Sequence, residues 1–344
     1  MSSSAIPILH LRGDPFTRGK QHGVALSSAI HDANRRQRQT CNDSDLRHAA
    51  QRAASSWHQL EAGFPKVAAE IRGIAEGSGL APLDVYLLSG FDFFEGAPSS
   101  GCTTAACTIG DGAIVAQNWD APPGTDRNLV LMIHEAGDDS LMMVTSPGTL
   151  GWVGMNRTGL ALVTNDLMLD VQGHGLPTLA VRRILLSHGR ACDAMNAVRQ
   201  LDHRAGRCYL LGDAHGDIAG VEISPMIGAW PLSGHSIVHT NHPIVPATAL
   251  MEDIEAVAHV YPSSRERLRA ARAHTVACGE DMRRLLADTN GSPDAICKTA
   301  SRREPTQTAF SIIFDCAKRQ ASVCLGRPDR SRYHAFTLDV ATAV

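Results

Sequence analysis

No stretch of this chain approaches the roughly 20 apolar residues of a membrane-spanning helix, and none of its nine cysteines belongs to a Cys-x-x-Cys pair. Aromatic residues make up only 5%, and neither sign of charge is in excess, with 32 Lys and Arg against 35 Asp and Glu and a net charge of −3. That balance excludes the basic footprint of a nucleic-acid binder or of a protein held on an anionic membrane surface. An odd number of scattered cysteines argues against a disulfide framework or a zinc knuckle, and leaves room for one reactive thiol among buried structural ones. Residues Met1 to Leu11 carry no basic n-region and only a brief apolar stretch from Ala5 to Leu9, so a cytoplasmic location is expected. No linker rich in Pro, Gly or Ser, internal repeat or low-complexity tract interrupts the 344 residues, which predicts one compact domain over 1–344.

Two periods divide the chain. From residue 14 to 90 the pattern is helical: Asp14 is placed to cap a helix with Pro15 at its first position, Pro65 repeats the device, and Val67, Ile71 and Ile74 recur at helical spacing until Gly77 and Gly79. A short helix follows Pro82. Beyond residue 102, short apolar runs alternate with turn residues. They predict strands at 103–109, 113–117, 127–134, 141–144, 159–164, 208–211, 218–223, 236–239, 308–314 and 321–325. Helices are predicted at 179–187, 192–201, 265–277 and 280–286. Several strands are apolar without alternation and so have both faces buried, as in two stacked antiparallel sheets with helices outside. The fold class is α+β.

The most informative residues are Gly101 and Cys102, within the run Ser99 to Thr104, at the expected junction of helix and strand. A thiol following an unhindered glycine carbonyl, with hydroxyls at Thr103 and Thr104 beside it, is how a self-cleaving nucleophile would be built. Cleavage before Cys102 would free an α-amine with a pKa of about 7.7–8.0, so one residue would supply both nucleophile and base. Cys107 lies mid-strand without such neighbours and is assigned to the core. Trp119 is placed either to line a pocket or to pack against a strand. His239 and His242 lack a third ligand at a characteristic spacing, so no metal site is expected.

Gly101-Cys102-Thr103-Thr104-Ala105, Ala116-Gln117-Asn118-Trp119-Asp120 and His239-Thr240-Asn241-His242 together resemble the acyl-coenzyme A:6-aminopenicillanic acid acyltransferase family of N-terminal-nucleophile hydrolases. Further matches run in order along the chain: Arg18-Gly19-x-Gln21-His22-Gly23, Glu70 to Gly77, Glu222-Ile223-Ser224-Pro225 and Leu325-Gly326-Arg327-Pro328. The resemblance implies a four-layer αββα sandwich and autocatalytic cleavage into an associated small fragment, 1–101, and a large fragment, 102–344. It also implies Cys102 as the nucleophile for amide-bond chemistry, Asp120 orienting the new amine, a processing role for Thr104, and Asn241 donating to the oxyanion. Ser224 matches a serine of the family. Ser100 stands where the family has an acidic residue. The family's arginine before the penultimate strand has no clean counterpart, with Arg302 and Arg303 slightly upstream of the expected place.

The leading expectation is therefore an autoprocessed cysteine amidohydrolase or acyltransferase. Its substrate would be a small N-acylated amine or amino acid, with water, an amine or an acyl thioester as the other partner, and no cofactor. One alternative keeps the chain intact and pairs Cys102 with a distant histidine such as His239, as in papain-like enzymes. The other is a binding protein on a degenerate form of the same fold. Asp120 also has a plain alternative, as a turn residue before Pro122.

Overall fold

Helices begin where the sequence supplies a cap and a proline. In the computed structural model, which describes residues 5–94 and 100–338, strand β1 (Ile8–Arg12) leads into α1 (Pro15–Ala25), where the Asp14 carboxylate accepts the Thr17 N–H at 2.8 Å. Ser99 and the end of the chain after residue 338 lie outside the described residues. Next come α2 (Ser27–Thr40), α3 (Asp43–Gly63), α4 (Pro65–Ser78) and α5 (Pro82–Leu88). Gly79 ends α4 at φ 77°, a left-handed conformation that suits glycine.

Helices α1 and α4 approach closely because both present glycine at the contact. A Cβ built on Gly19 would stand 2.1 Å from the Glu70 carbonyl oxygen, and one on Gly73 would stand 2.1 Å from that of Phe16. Gly23 and Gly77 make the same reciprocal fit one turn on. Two of the segments that carry the family resemblance, Arg18 to Gly23 and Glu70 to Gly77, are thus the two sides of one helix pair.

The remaining strands are β2 (Gly101–Ile109), β3 (Gly112–Ala121), β4 (Val130–Glu135), β5 (Leu141–Thr145), β6 (Val153–Asn156), β7 (Ala161–Asp166), β8 (Arg207–Gly212), β9 (Ile218–Ser224), β10 (Gly228–Leu232), β11 (Ser236–His239), β12 (Gln307–Asp315), β13 (Gln320–Leu325) and β14 (His334–Thr337). Between them run α6 (Thr178–Leu185), α7 (Ala191–Val198), α8 (Pro246–Ala249), α9 (Ile254–Val260), α10 (Ser264–Ala273) and α11 (Gly279–Leu286). One sheet has the order β1-β4-β5-β6-β7-β8-β9-β10 and the other β11-β2-β3-β12-β13-β14.

Three cores separate four layers. Ile71, Ile74, Val181 and Ile184 of the helices pack on Leu141, Met143, Leu162 and Val221 of the first sheet. The opposite face of that sheet, with Met142, Val144, Val163 and Leu210, meets Val115, Trp119, Phe310 and Ile312 of the second. The outer face of the second sheet, with Ala105, Cys107, Ile114 and Ile313, is covered by Ala271, Met282, Leu285 and Leu286. The order is helix, sheet, sheet, helix, and Cys107 is a core residue.

Two sequence expectations need correction. Not every pairing is antiparallel: β1 runs parallel to β4, with Ile8 opposite Leu131. The connection between them, which holds α1 to α5 and the β2–β3 hairpin of the other sheet, is long enough for the crossover that parallel pairing requires. Four strands were also not anticipated, namely β1, β6, β10 and β14. Three of these are sheet-edge strands with largely exposed residues, so they carry little of the apolar signal that marks a strand.

The glycine contact gives a direct test. Gly73→Ala should lower stability by about 1–3 kcal/mol, because the methyl group must push α1 away from α4. Gly63→Ala, with nothing within 4 Å of its Cβ position at the end of α3, should be neutral or stabilising by up to about 1 kcal/mol. Urea unfolding midpoints of the two variants check the contrast.

Candidate active site

Strand alternation decides where the cysteine points. On β2 and β3 the side chains of Cys102, Thr104, Gln117 and Trp119 face the gap between the sheets, while Gly101, Thr103, Asn118 and Asp120 lie on the opposite face. Cys102 pairs with Trp119 across the ladder, and Gly101 pairs with Asp120. Gly101 and Cys102 are therefore the first residues of a strand, not of a loop. Asp120 is likewise a strand residue, fully buried, which removes its assignment to a turn before Pro122.

The thiol opens on a cavity of about 290 Å³ whose lining includes Phe91, Ser100, Gln117, Trp119, Trp152, Thr164, Asp166 and Arg182. Gln117 donates from Nε2 to the Cys102 Sγ at 3.2 Å, and its Oε1 accepts the Thr164 N–H at 2.9 Å, which fixes the orientation of the amide. Trp119 and Trp152 stack with centroids 5.1 Å apart, and Phe91 lies 5.8 Å from Trp152. Trp119 thus both lines the pocket and packs.

The main chain of Cys102 is held on all sides. Its N–H donates to Asn241 Oδ1 at 2.8 Å, and its carbonyl accepts from Asn165 Nδ2 at 3.0 Å and from Arg267 Nη1 at 2.6 Å. Arg267, fully buried on α10, also donates to Thr103 Oγ1 at 2.9 Å, to Asn241 Oδ1 at 2.9 Å and to Ser263 Oγ at 2.9 Å. Asn241 sends Nδ2 to the Asp166 carbonyl at 3.2 Å. It is therefore the carbonyl oxygen of Asn241, not its amide nitrogen, that meets Cys102. Thr104 donates to Asn165 Oδ1 at 2.5 Å, which orients the asparagine that grips the Cys102 carbonyl.

Asp120 accepts from Thr308 Oγ1 at 2.8 Å, while its second oxygen has no partner and lies 3.1 Å from where a Cβ on Gly101 would stand. Burial raises the Asp120 pKa against the opposing pull of Lys298 and Arg267. Burial also raises that of the Cys102 thiol well above the usual range, helped by the nearby carboxylates of Asp166 and Asp120. At neutral pH the thiol is protonated and needs a local base.

Other expected residues lie elsewhere. His239 is buried on β11 with Nε2 at 2.8 Å from Glu222 and Nδ1 at 2.7 Å from the Thr240 carbonyl, so both ring nitrogens are engaged away from Cys102. Among the described residues, no histidine lines the cavity. Ser224 ends β9, donating to Met251 Sδ at 3.3 Å, and does not line the cavity. His242 is 2.7 Å from Ser264 Oγ. Among the described residues, no cluster of three His, Cys, Asp or Glu could hold a metal ion, and no helix is long and apolar enough to cross a membrane.

The acyl-coenzyme A:6-aminopenicillanic acid acyl-transferase family model matches residues 107–330, which include Asp120 and Asn241 and begin downstream of Cys102. The chain belongs to this family. Similarity extends over nearly all of it to the 40 kDa form of the acyl-coenzyme A:6-aminopenicillanic-acid-acyltransferase of Emericella nidulans, 29% identical over 343 residues and covering 94% of each chain. Among solved structures, a conjugated bile acid hydrolase of Clostridium perfringens matches with TM-score 0.44 and 9% identity over 71% of this chain and 98% of its own. A penicillin V acylase of Agrobacterium tumefaciens matches with TM-score 0.40 and 13% identity over 70% and 86%.

Neither Arg302 nor Arg303 fills the place left for the family's arginine. Both are exposed, and Arg303 pairs with Asp294 at 2.9 Å. The arginine at the cysteine is Arg267, which the sequence reading missed along with Gln117 and Asn165. A signal for it exists: Ser264, Arg267, Leu268 and Ala271 recur at helical spacing on the buried face of α10, so Arg267 is the charged residue on a face that should be apolar.

The raised thiol pKa predicts the order of alkylation. In the uncleaved chain, iodoacetamide at pH 8 should label exposed Cys192 and Cys278 well before Cys102, and Cys102 should gain reactivity only above the ordinary thiol range. Peptide mass mapping of a pH series checks this.

Proposed function

We propose that this chain cleaves itself between Gly101 and Cys102 and that the new N-terminal cysteine then acts as an amidohydrolase or acyltransferase on a small acyl-amide. The observation that carries the proposal is the grip on Cys102: its nitrogen on Asn241 and its carbonyl on Arg267 and Asn165, with the thiol facing the cavity. A purely structural cysteine needs no such framework.

In the cleavage step the Cys102 sulfur attacks the Gly101 carbonyl carbon and the peptide C–N bond breaks, giving a thioester and a free amine on Cys102. Water hydrolyses the thioester and leaves a carboxyl on Gly101. The unpartnered oxygen of Asp120 beside Gly101 is placed to take part in the proton movements. Glycine at 101 fits because a Cβ there would stand only 3.1 Å from that oxygen.

In turnover the freed amine takes the thiol proton, the sulfur attacks the substrate carbonyl, and the amine returns the proton to the leaving amine. Water, or an amine acceptor, resolves the acyl-enzyme. Asn241 holds the amine through Oδ1. Gln117, whose Nε2 is 3.2 Å from Sγ at the cavity wall, is the better-placed oxyanion donor. An intact enzyme using a histidine base is disfavoured, since His239 is occupied by Glu222. The fragments should stay together, because α2 to α5 supply more than a third of the buried residues of the first core and β1 pairs with β4 at the edge of the first sheet.

Purified protein should consist of fragments 1–101 and 102–344, the larger beginning Cys-Thr-Thr-Ala on N-terminal sequencing. Cys102→Ala should abolish both cleavage and turnover. A single uncleaved chain that nonetheless hydrolyses amides would sink the proposal.

The oxyanion assignment is tested on cleaved protein. Gln117→Ala should lower kcat by about a hundredfold with little change in KM. Near-normal kcat in that variant, alongside a large loss in Asn241→Ala, would return the oxyanion role to Asn241.

A further inference from the structure

Arg182 is a buried cation without a counter-ion. It sits on α6, is only 3% exposed, and lines the same cavity as Cys102. Nη1 donates to the Trp152 carbonyl at 2.9 Å, and the guanidinium lies 5.9 Å from the Trp152 ring centroid. Nε has no partner. Among the described residues no carboxylate comes within 4.0 Å of it. Asp166, the acidic side chain among the described residues that line the cavity, is already engaged, 3.3 Å from Arg207 and 3.4 Å from the Tyr261 hydroxyl. A second polar atom of the lining, Thr164 Oγ1, is also buried without a partner.

A guanidinium this deep is costly unless an anion meets it. Burial lowers its pKa, opposed by Tyr209 and by the more distant charges of Asp166 and Asp92, but an arginine stays protonated. The aromatic part of the wall is Phe91, Trp119 and Trp152, and smaller residues such as Ala121, Pro122 and Ser146 complete the lining. A cavity with one fixed cation, a free hydroxyl and stacked rings is complementary to a molecule with an aromatic or other flat apolar part and one carboxylate.

We propose that Arg182 binds a carboxylate of the substrate, so that the acyl-amides processed at Cys102 carry a free carboxyl group together with an aromatic group that packs against Trp119 and Trp152. This rests on Cys102 acting in the same cavity. The carboxylate can belong to either half of the amide, as in an N-acylated amino acid or in the monoamide of a dicarboxylic acid.

The two sources are distinguished with N-phenylacetylglycine against N-phenylacetylglycinamide, and glutaric acid monoanilide against its methyl ester. In the unaltered protein, kcat/KM for the free acid of at least one pair should exceed that for its neutral partner by about tenfold to a hundredfold, as a charge-assisted bidentate contact provides. The pair showing the preference identifies the half that bears the carboxylate. In Arg182→Gln the preference ratio should fall to about one, and in Arg182→Lys it should be intermediate.

Binding is measured separately, by tryptophan quenching in Cys102→Ala, where no turnover occurs. Tighter binding of a free acid there, without turnover in the unaltered protein, would uphold carboxylate recognition and overturn the amidase reading. Turnover with acids and neutral partners used equally would do the reverse. Equal, weak binding of both members of each pair would overturn the role of Arg182.

Discussion

The structure of the site depends on a guanidinium placed where no charge would be expected. Arg267 enters the outer helix layer and spends its donors on four oxygens: the Cys102 carbonyl, the Thr103 hydroxyl, Asn241 Oδ1 and Ser263 Oγ. A buried cation surrounded by neutral acceptors pulls each of them toward itself. It thereby fixes the main chain on the C-terminal side of the Gly101–Cys102 bond and aims the asparagine that meets the Cys102 nitrogen. The same charge opposes the rise that burial imposes on the pKa of Asp120. Replacing Arg267 with a residue bearing a single donor atom would leave several of these oxygens buried and unsatisfied at once, so its contribution is not divisible among the pairs.

Period two does the rest of the positioning. Because neighbouring residues of a strand point to opposite faces, Cys102 delivers its thiol to the gap between the sheets while Gly101 and Thr103 face the helix layer with Asp120 and Arg267. The groups that would govern the peptide bond and those that would receive a substrate thus lie on different sides of one sheet. Burial keeps the thiol protonated, and Gln117 is the polar side chain hydrogen-bonded to its sulfur. Among the described residues no histidine lines the cavity, so a base for the thiol is missing there unless the nitrogen of Cys102 itself is freed.

The parts of the fold with strong local signals were legible. Caps and prolines marked α1, α4 and α5, and the central strands β2, β3, β11, β12 and β13 were recognisable as uniformly apolar or turn-bounded runs. The edge strands were not, since exposed residues such as those of β10 carry no burial pattern. In the site, motif residues close in sequence to Cys102 and Asp120 could be named in advance. Asn165 and Arg182 could not, because each comes from a distant segment whose approach depends on the stacking of layers; Arg267 is marked in the sequence only as a charge on the buried face of α10, with nothing local to say which residues it meets. The orientation of the Asn241 amide was equally hidden: it follows from two donors, the Cys102 N–H and Arg267, converging on one oxygen.

A break between Gly101 and Cys102 would fall at the first residues of β2, where the ladder to β3 begins at the Gly101–Asp120 pair. Every later rung of that ladder stays with the large fragment. The small fragment keeps its own attachment through β1 on β4 and through Ile71, Ile74 and Tyr86 in the first core, none of which involves the severed bond. It also contributes Phe91 to the cavity wall, and the Asp92 carboxylate that pairs with Arg207, the partner of Asp166. Cutting the chain there would release the end that carries Ser100 and Gly101, while Phe91, Asp92 and the walls supplied by the large fragment keep their own attachments. An amine created there would appear inside a site already packed around it, already facing Asn241, and beside a thiol that only a neighbouring base can ionise.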